Sequence, residues 1–292
     1  MKTILVLTDF SINADYAAYY ALKLAQHIEA DLLLCNVYEV PQGERLMNPK
    51  AWPIGVCEQN SVDDLSELAE RLQGEIDTSS KDLFRPDVIQ CSLAGAVEDR
   101  LNEIAAKHNV LMGIISKHSA GFLSTVISGN HTKSIIETAE FPVMVIPYQV
   151  KFRGFKKIAF ATDLVYDGLD VLSDLHDITK YFDSEILITH VAADKSADIE
   201  KEQVTKYFFT AETAPSNYPK IYYRAIQNKS VVAGLDWLAE HADIDLTVVV
   251  HRKRTIFKKL FDESITQQLA VSSNKPLLIF PCNSVKKGLA AF

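Results

Sequence analysis

The sequence predicts an α/β protein made of two tandem, doubly wound domains, each with a five-stranded parallel sheet. In the first observation, an apolar run is followed by Thr8 and Asp9, and the same pattern recurs 154 residues later at Thr162 and Asp163. The second observation is that later residues of the first half also recur in the second half, where the displacement is 134 residues. In the third, short β-branched runs alternate with helical periodicity, which is typical of parallel strands joined by crossover helices.

The first copy is expected to contain five strands and four helices. It opens with a strand at residues 3–8 and a helix at residues 11–30, in which apolar side chains recur at three- and four-residue spacing. The chain then alternates between β-branched runs and further helical periodicity. The remaining expected elements are strand 31–37, helix 62–76, strand 87–93, helix 97–108, strand 110–115, helix 132–139 and strand 143–146.

The second copy repeats this order. The apolar runs are continuous in both copies, which indicates strands buried on both faces and sheets covered by helices on both sides. The expected elements are strand 157–162, helix 169–182, strand 186–191, helix 197–210, strand 221–226, helix 231–241, strand 246–250, helix 265–272 and strand 277–280.

The repeat divides the 292 residues into two domains of ordinary size, 1–150 and 151–292. The fall in displacement from 154 to 134 leaves 20 extra residues in the first copy, within segment 41–60. This insertion is rich in Pro and Gly but carries apolar side chains, including Trp52. Three roles stay open: a lid over the first domain's pocket, a contact between the copies, or a loop packed on its own domain.

Composition and charge exclude several classes of protein. The formal net charge is -8 and the pI is about 5.5, which argues against a nucleic-acid partner because phosphate backbones need a strongly basic surface. No apolar run approaches the roughly 20 residues of a membrane span, and the first residues lack the pattern of a secretory signal. We therefore expect a cytoplasmic protein without a membrane partner.

The four cysteines show no spacing typical of metal ligands. Cys35 and Cys91 lie within apolar runs, so we interpret them as reduced core thiols rather than as a disulfide or a metal site. The histidines are also scattered without ligand spacing, and no metal is expected.

Candidate binding residues follow from the fold class, since doubly wound sheets bind ligands at the carboxyl ends of strands, near the reversal of strand order. Thr8 and Asp9 end the first expected strand, Val37 ends the second, and Gly113 lies in the fourth, which runs into a long loop. Asp9 has two interpretations, a ligand for a base or ribose and an N-cap of the following helix. For Asp163, capping is favoured.

Four marks together resemble the universal stress protein family: a first strand ending in Asp, a second ending in Asn-Val or His-Val, a fourth entering a Gly-containing loop, and the run Phe141-Pro142-Val143. The likeness covers both copies. It implies two adenine-nucleotide alpha hydrolase-like domains, pseudo-two-fold related and paired through their fifth strands, and it allows a further homodimer. It also implies a cytosolic stress-response protein that binds an adenine nucleotide, ATP or AMP.

The resemblance assigns the nucleotide site to the first copy. In nucleotide-binding members of the family, the first-strand Asp lies beside the base and ribose, and a glycine-rich loop holds the phosphates. Gly113 matches the first loop glycine and Gly129 the last, whereas Ser116 replaces the middle one, so impaired binding is expected. The implied nucleotide-binding residues are Thr8, Asp9, Val37, Gly113, Gly121, Gly129 and Asn130.

The corresponding loop of the second copy has no glycine and is rich in basic side chains. A positive loop beside a helix N-terminus could hold an anion. Two other roles would also account for these basic side chains: a solvated loop, or a surface that faces an acidic patch of the other copy. The candidate second anion site consists of Asp163, Val191, His251, Arg252 and Ser264.

No catalytic motif emerges from the chain, and no catalytic residue is assigned. His190 is interpreted as a pocket-wall histidine rather than a general base. The leading hypothesis is a nucleotide-binding stress-response protein with a degenerate second site. The alternative is an interaction or scaffold protein whose phosphate loops have both decayed. A third hypothesis is a slow hydrolase, with at most weak nucleotide hydrolysis.

Overall fold

The computed structural model describes residues 1–38, 54–117, 130–162, 168–192, 220–251 and 265–281. The chain folds into two compact units, Met1–Phe152 and Arg153–Phe292. In the part of the chain that the structure describes, each unit has five parallel strands, and helices follow most of them, as the repeat in the sequence predicts.

The described elements of the first unit are β1 Thr3–Leu7, α1 Ile12–Ile28, β2 Asp31–Tyr38, α2 Ile54–Thr78, β3 Val88–Ala94, α3 Val97–His108, β4 Val110–Ser116, α4 Asn130–Thr138 and β5 Val143–Ile146. The strand order is β3-β2-β1-β4-β5, with parallel pairing throughout. The chain therefore builds the sheet outward from β1 on one side, and then returns to the other side of β1 to add β4 and β5.

The centre of this sheet is buried on both faces. Ile4, Leu5 and Val6 of β1 have no exposed surface, although consecutive side chains of a strand point to opposite faces. α1 contacts α2 and α3 contacts α4, and right-handed crossovers place these two helix pairs on opposite faces of the sheet. The predicted double winding is confirmed. The edge strand β3 differs from the prediction, because each of its residues keeps some exposure.

The described elements of the second unit are β6 Lys157–Ala161, α5 Gly168–Thr179, β7 Glu185–Ala192, β8 Ile221–Gln227, α6 Val231–His241, β9 Leu246–His251, α7 Ile265–Ser272 and β10 Leu277–Pro281. The strand order is β8-β7-β6-β9-β10. The register repeats that of the first unit: Leu5 pairs with Leu33, and Ala159 pairs with Leu187 at the same displacement along the chain. The duplicated α/β fold is thus present at the level of individual strand pairs.

The segment that follows β5 folds back onto α1. The ring of Tyr148 meets the ring of Tyr16 edge-on, with centroids 5.0 Å apart. The ring of Phe152 packs in the same way against Tyr20, at 5.2 Å. These contacts make the segment part of the first unit.

The start of α2 differs from the prediction. The helix begins at Ile54 rather than at residue 62, so the last part of the insertion is helical. The Pro- and Gly-rich composition of the preceding residues concealed this helix start in the sequence. Residues 39–53, which include Trp52, lie outside the described residues, as does the predicted helix 197–210. The three proposed roles of the insertion stay predictions.

Candidate functional site

The reversal of strand order in the first unit lies between β1 and β4. Ligands of doubly wound sheets bind in the crevice that such a reversal opens at the carboxyl ends of the strands. The candidate site is therefore built from the residues that follow β1, β2 and β4.

A tight turn joins β1 to α1. The backbone amide of Thr8 donates to the carbonyl of Cys35 at 3.0 Å, which continues the β1–β2 ladder beyond the end of the strand. The amide of Phe10 then donates to Thr8 Oγ1 at 3.0 Å, and the amide of Ser11 donates to Asp9 Oδ1 at 3.1 Å. Phe10 has a φ of 60°, a left-handed conformation that turns the chain sharply into the helix. This turn holds the Asp9 carboxylate at the strand reversal.

The N-cap of α1 is Ser11, whose side chain accepts a hydrogen bond from the amide of Ala14 at 3.2 Å. The interpretation of Asp9 as the N-cap is therefore wrong, since a serine two residues later takes that position. The Asp9 carboxylate is partly exposed and orients the turn before the cap.

The loop that follows β4 starts beside α1. Asn13, in the first turn of α1, donates through Nδ2 to the carbonyl of Lys117 at 3.4 Å. The amide of Lys117 donates to the carbonyl of Ile146 at 2.8 Å, which fixes the same residue to β5. The two contacts place the beginning of the predicted phosphate loop next to the turn that carries Asp9.

A chain of polar side chains connects the ends of β1, β2 and β3. Asn36 Nδ2 donates to the carbonyl of Thr8 at 2.8 Å, and Asn36 Oδ1 accepts from the hydroxyl of Ser61 at 2.8 Å. Ser61 Oγ also lies 2.7 Å from Ser92 Oγ. Because a hydroxyl has one hydrogen and Ser61 gives it to Asn36, the hydroxyl of Ser92 is the donor to Ser61. The four residues form one directed network at the candidate site.

Ser61 and Ser92 were not predicted from the sequence. Ser61 is 2% exposed and lies on α2. A single serine within a helix matches no sequence motif, so it could not be recognised from the sequence. Ser61 is identified by its buried environment, because a buried hydroxyl needs a hydrogen-bond partner. Only the packing of α2 against β2 and β3 supplies those partners.

Gly113 lies within β4, where it pairs with Leu5 and with Val143. A Cβ atom at this position would lie 2.9 Å from Cε2 of the Phe141 ring. Close packing against Phe141 thus accounts for the glycine. Val37, near the end of β2, is partly exposed and pairs with Leu93.

Tyr38 ends β2 near the helical part of the insertion. Desolvation raises the pKa of Tyr38, and the charges of Glu58 and Cys57 raise it further. The first turns of α2 therefore lie beside the carboxyl end of β2, on the same edge of the sheet as the candidate site.

The second unit repeats the same backbone contact with a different side chain. The amide of Thr162 donates to the carbonyl of Thr189 at 2.9 Å, and His190 Nδ1 lies 3.0 Å from the carbonyl of Thr162. A carbonyl only accepts, so Nδ1 carries a hydrogen and donates it to Thr162. His190 thus takes the place of Asn36, which fits its interpretation as a pocket-wall residue.

Two members of the candidate second anion site are described. Val191 packs against α6 so closely that a Cβ atom on Gly234 would lie 2.8 Å from Val191 Cγ1. His251 is buried at the end of β9 and pairs with Pro281.

Several predicted residues lie outside the described part of the chain. They are Gly121, Gly129, Asp163, Arg252 and Ser264. Asn130 is the first residue of α4, so the described helix begins where the predicted phosphate loop ends. The role of these residues stays a prediction.

Among the described residues, no group of three or more His, Cys, Asp or Glu side chains is arranged to hold a metal ion. No helix in the described ranges is long and apolar enough to cross a membrane.

The fold and the strand-end arrangement define a doubly wound α/β protein with a candidate ligand site at its strand reversal. A model of the universal stress protein family matches residues 1–147, just over half of the 292 residues. The chain belongs to the universal stress protein family, and the resemblance seen in the sequence is confirmed.

Solved structures extend the likeness across both units. A universal stress protein from Archaeoglobus fulgidus DSM 4304 has a TM-score of 0.73 and 14% identity, covering 96% of this chain and 98% of that chain. A functionally unknown protein from Pseudomonas aeruginosa PAO1 has a TM-score of 0.57 and 15% identity, covering 98% and 95%. The cytoplasmic domain of a prokaryotic cation chloride cotransporter has a TM-score of 0.53 and 10% identity, covering 99% and 98%.

At these low identities the solved structures show a shared fold alone. A search of curated protein sequences found no match.

Proposed function

We propose that the first unit binds an adenine nucleotide, ATP or AMP, and that the protein acts as a cytoplasmic stress-response binding protein. Membership of the universal stress protein family supports this proposal. The observation that carries it is the position of Asp9, whose carboxylate is held by the amide of Ser11 at the reversal between β1 and β4. A carboxylate in such a crevice can accept hydrogen bonds from ribose hydroxyls or from a base edge.

The neighbouring residues suit the parts of a nucleotide. Thr8 and Asp9 would contact the ribose and base, and the partly exposed Val37 would offer an apolar contact to the base. The phosphates would lie toward residues 118–129 and the start of α4 at Asn130, because amides at a helix N-terminus attract anions. The contact of Asn13 with Lys117 supports this orientation, since it brings the start of that loop beside Asp9.

The second unit is proposed to bind nucleotide weakly or not at all. Its loop lacks glycine, and His190 stands where the first unit has Asn36. A weak anion site formed by Asp163, Val191, His251, Arg252 and Ser264 is the remaining role for its basic loop.

The scaffold hypothesis keeps one specific observation in its favour. The packing of Gly113 against Phe141 explains the first glycine of the loop pattern without any phosphate. If the other glycines are equally structural, the protein would serve as an interaction module with two empty sites. Hydrolysis of bound nucleotide would be at most slow, since no general base has been assigned.

Calorimetric titration of the full chain with ATP and with AMP tests the proposal. Asp9→Ala is expected to weaken binding by about 10- to 100-fold, because a hydrogen bond to a charged group contributes roughly 1.5–3 kcal/mol. Asp9→Asn keeps an acceptor for the Ser11 amide and removes the charge, so it separates ligand contact from turn geometry.

Asp163→Ala is the matched control in the other copy, and its binding is expected to equal that of the wild type. If the wild-type protein binds neither nucleotide and none co-purifies with it, the scaffold function replaces nucleotide binding. Equal losses in the Asp9 and Asp163 variants would contradict the assignment of the site to the first unit.

A further inference from the structure

Cys35 and Cys91 lie opposite each other on neighbouring strands. They are direct partners in the parallel register of β2 and β3, between the pairs Leu34–Gln90 and Asn36–Ser92. Registered partners on parallel strands point to the same face of the sheet. The sequence places these cysteines 56 residues apart, so their contact is visible only in the fold.

The spacing of the two strands suits a disulfide. Neighbouring strands lie about 4.8 Å apart, and disulfides join residues whose Cα atoms are roughly 4.4–6.8 Å apart. Both thiols are free in the structure and they are hydrogen-bonded to each other.

The two thiols have unequal environments. Cys35 is fully buried, whereas Cys91 is partly exposed on the edge strand. The pKa of Cys91 is lowered to about 7, chiefly by the hydrogen bond from Cys35 and to a smaller extent by the charge of Lys107, while desolvation and the charge of Glu103 oppose the shift. The same hydrogen bond and burial raise the pKa of Cys35. Cys91 is thus the accessible nucleophile, and Cys35 is its protonated neighbour.

We propose that Cys91 and Cys35 form a peroxide-responsive dithiol, in which Cys91 is oxidised first and Cys35 then closes a disulfide between β2 and β3. In the first step the Cys91 thiolate attacks hydrogen peroxide, forming an S–O bond, breaking the O–O bond and releasing hydroxide. In the second, the sulfur of Cys35 attacks the sulfur of Cys91, and the S–O bond breaks. The leaving hydroxide takes the Cys35 proton as water, so two thiols and one peroxide give one disulfide and two waters.

The order of the steps follows from the contact between the thiols. While Cys91 is a thiolate, Cys35 donates its hydrogen to it and is held protonated. Oxidation of Cys91 removes that acceptor, so Cys35 becomes free to react. The partner needed to resolve the sulfenic acid is already in place on the adjacent strand.

The dithiol lies next to the candidate binding site. Asn36 and Ser92, one residue further along the same two strands, belong to the polar network at the strand ends. The carbonyl of Cys35 itself accepts the amide of Thr8. A disulfide would therefore form directly beside the turn that carries Asp9.

Mass spectrometry of the full chain after treatment with hydrogen peroxide tests the proposal. The wild-type protein is expected to lose the mass of two hydrogen atoms, to regain it with dithiothreitol, and to yield a cross-linked pair of peptides containing Cys35 and Cys91. In Cys35→Ala, the sulfenic acid on Cys91 should persist and be captured by dimedone. Cys57→Ala is the matched control, because it removes a partly exposed thiol of α2 and should leave the cross-link unchanged.

The wild-type result decides the proposal even if a core variant folds poorly. A peroxide-treated wild-type chain in which Cys91 is oxidised to sulfinic acid without a cross-link would overturn it. A disulfide that joins Cys91 to Cys57 or Cys282 instead would overturn it as well.

Discussion

The side-chain amide of Asn36 is hydrogen-bonded to the backbone carbonyl of Thr8 at 2.8 Å, which ties the end of β2 to the end of β1. The second unit makes the same tie with the ring of His190 and the carbonyl of Thr162, at 3.0 Å. Two different side chains thus satisfy the same backbone acceptor after the first strand of each copy. The repeat has retained the contact while the residue changed.

Asn36→Ala is expected to lower the free energy of unfolding by about 1–3 kcal/mol, because it removes the side-chain donor to the Thr8 carbonyl and the acceptor of the Ser61 hydroxyl. Urea denaturation of the full chain measures the change. Asn36→His copies the residue of the second unit and should recover part of the lost stability. An alanine variant as stable as the wild type would show that the network contributes nothing to folding.

Gly113→Ala is expected to destabilise the protein by about 1–3 kcal/mol, because its new methyl group would meet the Phe141 ring at 2.9 Å. Thermal unfolding measures this effect. Adding Phe141→Leu should relieve part of it, because a leucine side chain leaves more room for the methyl group. If Gly113→Ala instead keeps full stability and loses nucleotide binding, Gly113 is needed to bind the ligand rather than to pack against Phe141.

Ala96→Ser is expected to stabilise the protein by about 0.5–2 kcal/mol. Ala96 is the N-cap of α3, with an extended backbone and no side-chain hydrogen bond. Its counterpart Ser230 caps α6 by accepting from the amide of Ala233 at 3.3 Å. Urea denaturation should show the gain, and Ser230→Ala should show a loss of similar size. A destabilised Ala96→Ser variant would mean that the two helix starts are not equivalent.

Alkylation of Cys91 by iodoacetamide is expected to accelerate as pH rises, with a half-maximal rate near pH 7, because only the thiolate reacts and its pKa is about 7. Below this pH the thiol is protonated and the rate falls. Peptide mapping over a range of pH measures the midpoint.

Two variants separate the causes of this shift. Cys35→Ala removes the main one, the thiol hydrogen bond, and should move the midpoint upward toward the ordinary cysteine value of about 8.5. Lys107→Gln removes a smaller electrostatic effect and should move it less in the same direction. A wild-type midpoint already at the ordinary value would contradict the contact between the two thiols.

The order of strands and helices could be predicted because it depends on local periodicity, and the repeat supplied each element twice. Contacts between distant segments could not be predicted in this way. Cys35 and Cys91 looked like unrelated core thiols, since the register of β2 against β3 is fixed by packing rather than by either strand alone.

Within the candidate site, position was easier to predict than role. The sequence placed Asp9 after the first strand, but the choice between capping and other roles depended on whether Ser11 could reach the helix amides. Gly113 matched a loop pattern in the sequence, whereas its environment is set by Phe141, which lies after α4.

The aromatic pairs of Tyr148 with Tyr16 and of Phe152 with Tyr20 bear on how the first half should be excised for separate study. The family match stops at residue 147, and a fragment cut there would strip α1 of both rings. Each such pair contributes roughly 0.5–1.5 kcal/mol beyond its buried area. A fragment that ends after Phe152 keeps both aromatic pairs, whereas a shorter fragment exposes the surface of α1 that the two rings cover.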